Sequence, residues 1–131
     1  MDSIKATFRT TFLACTDLTS IVNTRIYPKH ISGVENPIFP CITISFEKVE
    51  SNCNEVSEDG YYVIDIWSKN GNSELTSIHN LIKKLINKKR SLGGGIVYCR
   101  LYHANDDLYE EDTNTYHLCS KYQITSMDNF N

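Results

Sequence analysis

Tyr61-Tyr62-Val63-Ile64-Asp65-Ile66-Trp67-Ser68 is the stretch that decides the fold. Its side chains alternate, with Tyr62, Ile64 and Ile66 on one side and Tyr61, Val63, Asp65 and Trp67 on the other. A period of two in β-branched and aromatic residues predicts a strand. The first side suits a core. The second is unusually rich in large groups, so it meets a helix, a long loop or another subunit.

Working outward, Ile42, Ile44 and Phe46 alternate with Thr43, Ser45 and Glu47, a second strand with one wet face. Between the two strands, residues 51–60 are polar and end in Asp59-Gly60, a turn or hairpin loop. Downstream, Asn70-Gly71-Asn72-Ser73 closes the strand and caps a helix running to about residue 88. Leu75, Ile78, Ile82, Leu85 and Ile86 trace its buried face, and Glu74, Lys83, Lys84, Asn87 and Lys88 its far face. Gly93-Gly94-Gly95 then unwinds the chain before two more strands, about 96–103 and 115–125.

At the other end, Asp2-Ser3 caps a helix over about 3–14, with Ile4, Phe8, Phe12 and Cys15 at helical spacing. A short turn of one or two helical turns carries Leu18, Ile21 and Val22. Pro28 ends any helix and pushes Tyr27 toward an extended conformation, and residues 29–39 form a loop.

The last two strands permit a register argument. Keeping Val97, Cys99 and Leu101 on one face with Tyr116, Leu118, Tyr122 and Ile124 pairs Val97 with Tyr122 and Leu101 with Leu118. That places Cys99 on the core face and Cys119 on the other, so no bridge joins them. The expected fold is one α+β domain over residues 1–131. It has a mainly antiparallel four-stranded sheet with two helices packed on one face, in the order α-β-β-α-β-β.

Composition narrows the function classes. A net charge of −3 lacks the basic excess by which nucleic-acid binders gain phosphate affinity. No apolar run approaches the ~18 residues of a spanning helix, so no membrane partner is expected. Five cysteines, an odd number without a signal peptide, read as reduced thiols made in a cytosol.

Five features invite a chemical reading. The glycine run follows a helix and precedes a strand, the reverse of a phosphate-cradling loop, and reads as a flexible connector. The cluster Lys83, Lys84, Lys88, Lys89 and Arg90 reads as the solvated side of an amphipathic helix, with no interleaved aromatics for single-stranded nucleic acid. His117 and Cys119 share one strand face, and Cys99 and His103 share one on the neighbour, but the pairs look in opposite directions, so no metal site is expected. Glu47, Asp65, His30 and His79 are not grouped with any nucleophile or oxyanion hole, so no catalytic residue and no cofactor is assigned. Finally, loop 104–114 is acidic (Asp106, Asp107, Glu110, Glu111, Asp112) around Leu108 and Tyr109. A solvated loop and a docking loop both fit it.

Taken together, Asp17-Leu18-Thr19, Arg25-Ile26-Tyr27-Pro28, the proline-led Pro40-Cys41-Ile42-Thr43-Ile44, and Val63-Ile64-Asp65-Ile66-Trp67-Ser68 before the helix of Ile78, Ile82 and Leu85 form a pattern. It resembles the tail terminator, or tail-completion, proteins of long-tailed bacteriophages over about residues 1–90. The final two strands agree in kind but not in motif, and the cysteine content and acidic loop depart from the family. The resemblance implies a non-enzymatic virion protein at the head–tail interface, assembled in the host cytoplasm. Its subunits would form a homo-hexameric ring that caps the tail tube protein, ends its polymerisation and joins the tail to the head connector. DNA would pass through the channel without specific binding. Tyr61, Val63, Trp67, Leu108 and Tyr109 are the expected subunit or partner contacts. The alternatives are another head–tail connector or neck protein, a small cytosolic ligand-binding domain or enzyme, and a nucleic-acid regulator.

Overall fold

The computed structural model describes residues 3–48, 60–111 and 114–126. The hairpin loop expected at 51–60 lies, apart from Gly60, outside the described residues, as do Cys53 and Asp112.

Helix α1 (Ser3–Leu13) buries Ile4, Phe8 and Phe12, and α2 (Thr16–Val22) buries Leu18 and Val22. Strand β1 (Ile26–Tyr27) leads through a 3-10 turn at Ile31–Gly33 to β2 (Cys41–Lys48) and β3 (Gly60–Ser68). Helix α3 (Asn72–Ile86) is followed by β4 (Lys89–Gly93), β5 (Ile96–Glu110) and β6 (Thr115–Ser126). Among the described residues these strands form one sheet in the order β1-β2-β3-β6-β5-β4. The β1–β2 pair is parallel and the others are antiparallel.

The expected four-stranded, two-helix arrangement is therefore corrected to a six-stranded mixed sheet with three α-helices among the described residues. Two strands escaped because they carry too little pattern. β1 has two residues, too few to show a period, and is held by the amide of Ile42 donating to the carbonyl of Arg25 at 3.0 Å. β4, Lys-Arg-Ser-Leu-Gly, continues the charged face of α3 in sequence, yet it is an edge strand of the kind that charge protects from further pairing. The short turn at Leu18 is a helix of 7 residues.

All three helices bury side chains in one cluster with Ile42, Ile44, Tyr62, Ile64, Ile66, Leu118 and Tyr122, which is one face of the sheet. Phe8 and Phe12, one turn apart, stack at 6.1 Å, and Phe8 meets Tyr62 edge-on at 5.9 Å. Each such burial contributes about 1.5–3 kcal/mol.

The β5–β6 register also differs. Tyr122 lies opposite Leu101, not Val97, and Ile124 lies opposite Cys99. This is a shift of four residues. Because it is even it keeps each side chain on its expected face near the pairing, with Cys99 buried in the core and Cys119 on the other side. Much of the expected loop 104–114 is strand, since β5 runs to Glu110 and β6 starts at Thr115. Register shifts after Leu101 and Asn105 take up the mismatch. The glycine run is likewise no flexible connector. Gly93, Gly94 and Gly95 all have positive φ (113°, 59° and 87°) and make the β4–β5 turn, docked on α1 where the Ser3 hydroxyl donates to the Gly94 carbonyl.

Candidate functional site

The site is the sheet face away from the helices. Cross-strand pairing sets its rows: Glu47, Tyr61 and Gln123; Ser45, Val63 and Lys121; Thr43, Asp65 and Cys119; Cys41, Trp67 and His117. Each row takes one residue from β2, β3 and β6, so the polar groups of three strands converge although they are far apart in sequence.

At the Trp67 end the groups interlock. The indole Nε1–H donates to Thr43 Oγ1 at 3.1 Å, a buried hydrogen bond. The His117 ring stacks on the indole with centroids 3.8 Å apart, and its Nε2 lies 2.8 Å from Asp65 Oδ1. Beside them the Cys119 thiol is pushed up to about 12, by burial first and then by the Asp65 charge. Burial also pushes Cys41 and Cys99 up to about 12. Such thiols stay protonated at neutral pH and are poor nucleophiles. At the far end the Lys121 ammonium meets Glu47 at 2.9 Å, Tyr61 stacks on Tyr102 at 4.6 Å, and Arg100 donates twice to Gln123 Oε1.

The segment between β1 and β2 rises over the Trp67 end and leaves a cleft of about 550 Å³. Ile31, Val34, Pro37 and Phe39 form its outer wall; Asp65, Trp67 and His117 form its floor, with Glu110 and Thr115 beside them. The His30 ring anchors the 3-10 turn by accepting from the Ser32 amide at 3.2 Å. Lys69 lies over the Phe39 ring, 5.4 Å from its centroid. A cleft with aromatic and aliphatic walls and carboxylates at its floor and side suits a side chain with an apolar stem and a cationic head.

The five expected contact residues fall into two groups. Val63 and Trp67 are buried (7% and 6% exposed), and Tyr61 is half-buried against Tyr102. Leu108 is half-buried on β5 opposite His117, so it joins this face, while Tyr109 is 47% exposed. Tyr109 packs edge-on against Tyr116, and its hydroxyl donates to Asn114 Oδ1 at 3.0 Å. The structure thus brings Trp67 and Leu108 together around His117 and keeps Tyr109 outside. Among the candidate acids and bases, Glu47 is paired with Lys121 and Asp65 with His117. His79 lies apart on α3, its Nδ1 without a hydrogen-bond partner among the described residues and its pKa lowered, by burial first and Lys83 second. Cys99 and His103 do not share a face as expected, because the shift after Leu101 turns His103 toward Lys121. No group of three or more metal-ligating side chains occurs among the described residues.

Sequence reasoning missed Thr43 and His117 as partners of Trp67. The signal that reveals them is the alternation of all three strands, read with β3 placed next to β6.

No protein-family model and no curated protein matches the sequence. A solved structure does. A chain in the virion of a native gene transfer agent particle superposes with a TM-score of 0.71 over 92% of both chains, at 12% sequence identity. The two chains share one fold. At that identity the likeness speaks for the fold alone, and at 92% coverage it reaches beyond the first 90 residues.

Proposed function

We propose that the chain is a structural protein of a phage-like virion, and within it the tail terminator. In this reading six copies close into a ring on the end of the tail tube, stop its polymerisation and present a surface to the head connector. The observation that carries the reading is the shared fold with a gene transfer agent virion chain over 92% of both lengths, joined to the terminator-like motifs around Arg25–Pro28 and Val63–Ser68.

The site supports a contact role over a catalytic one. Its carboxylates at Glu47 and Asp65 are held in pairs, and its thiol at Cys119 is protonated at neutral pH. Tyr61 and Leu108 offer accessible contact area on this face beside the buried Val63 and Trp67, and Tyr109 offers an exposed contact outside it. The mildly acidic chain, at net −3, lets DNA slide through a ring without retention.

Native mass spectrometry, with and without the tail tube protein, tests this. Six copies of a 15.0 kDa chain give a species of about 90 kDa, free or on the tube. A chain that stays monomeric under both conditions contradicts the ring. A ring that binds the connector but leaves tube growth unchecked assigns the chain to another neck component.

A further inference from the structure

The cleft at Trp67 and the basic corner where α3 meets β4 are complementary, and they lie at opposite ends of β5. Glu110 lines the cleft and Glu111 follows it; both are exposed, and neither pairs with a cation among the described residues. Lys84, Lys88 and Lys89 are exposed, and none pairs with a carboxylate among the described residues. Arg90 beside them leans on the Tyr98 ring at 4.9 Å. Four cations within seven positions are a concentrated charge on a chain whose net charge is −3.

Within one copy these patches cannot meet. Arg90 lies opposite Tyr98 near the start of β5, and Glu110 is its last residue. At ~3.3 Å per residue the separation along the strand is roughly 40 Å. The faces differ too: the lysines of α3 belong to the helix side of the sheet, whereas Glu110 borders the cleft on the other side.

We propose that the cleft receives the α3–β4 corner of a second copy of this chain, so that each site is completed by its neighbour. Lysine and arginine stems lie along Ile31, Val34 and Trp67 while their heads reach Glu110 and Glu111. Phe39 in this wall already carries a cation, Lys69, over one face of its ring. Because the contact joins two different surfaces it is head-to-tail, and it repeats until it closes. This inference rests on the ring reading and specifies its interface.

Paired charge reversals test it on the full-length protein. One variant carries Lys84→Glu and Lys89→Glu, the other Glu110→Lys and Glu111→Lys; all four positions are exposed, and circular dichroism checks that both variants fold. In native mass spectrometry at about 50 mM salt, each variant alone is expected to lose the oligomer, with association weakened at least about tenfold. An equimolar mixture regains it as an even-numbered, alternating assembly. Variants that each assemble like the parent, or a mixture that stays dissociated, overturn this interface and leave the ring reading standing. A parent protein that never associates, alone or with tube protein, overturns both.

Discussion

The His117 imidazole lies flat on the Trp67 indole, 3.8 Å between centroids and 6° between planes, while its Nε2 reaches Asp65 at 2.8 Å. Trp67 thus packs on His117 and hydrogen-bonds Thr43, in the floor of the cleft. A stiff floor is what a docking surface needs, because ordering it on binding would cost affinity.

Thr43→Val tests that floor. It removes the acceptor and leaves a buried indole N–H unsatisfied, which costs about 1–3 kcal/mol. Urea unfolding followed by the emission of the single tryptophan measures the loss. An unchanged midpoint would mean that the Thr43–Trp67 bond contributes nothing.

Tyr122→Phe has the opposite sign. The Tyr122 hydroxyl is buried with no hydrogen-bond partner among the described residues, and burial raises its pKa above the ordinary tyrosine value. Removing a desolvated, unpaired hydroxyl is expected to leave stability unchanged or raise it by up to about 1 kcal/mol. A loss of about 1 kcal/mol or more in the same assay would reveal a partner for that hydroxyl.

His79 predicts a pH effect. Burial and the Lys83 charge lower its folded-state pKa below the ordinary histidine value of 6.5, against the opposing pull of Asp106. In the window between the lowered pKa and 6.5 the unfolded chain binds more protons, so stability falls as pH falls through it. NMR titration of the His79 ring should give a midpoint below 6.5, and His79→Gln should flatten the stability profile there. A midpoint above 6.5 contradicts the assigned environment.

Gly94→Ala probes the turn that fastens β4 to α1. Its φ of 59° is unfavourable for alanine, and a Cβ there would collide with Thr7 Oγ1 and the Ser3 carbonyl. A loss of about 1–3 kcal/mol is expected from the strain and the broken docking. A neutral substitution would show that the turn does not press on the helix.

Much of the frame is legible in the sequence, and the reasons for the gaps are physical. α1, α3, β2 and β3 are long enough for their periods to show, and the face of each residue follows. β1 is too short to show one, and the charges of β4 disguise it as the end of α3. β5 runs past the expected residue 103 although Asn105 and Asp106 look like loop residues, and its register lies four residues from the expected one. The partner strand β6 holds Asn105 in the ladder opposite Cys119, with Asp106 in the irregularity that follows, and tertiary pairing overrides a low β-propensity. For the site, Asp65 and Trp67 announce themselves as large groups on a second face. Thr43 and His117 come from other strands, and local sequence does not write which strands are neighbours.

Electron microscopy of tail tubes grown from tube protein in the presence of this chain, tagged for gold labelling, tests the central claim most directly. Short tubes of limited length, with label confined to one end of each, are expected. Tubes of unrestricted length, unlabelled or labelled along their sides, would contradict it.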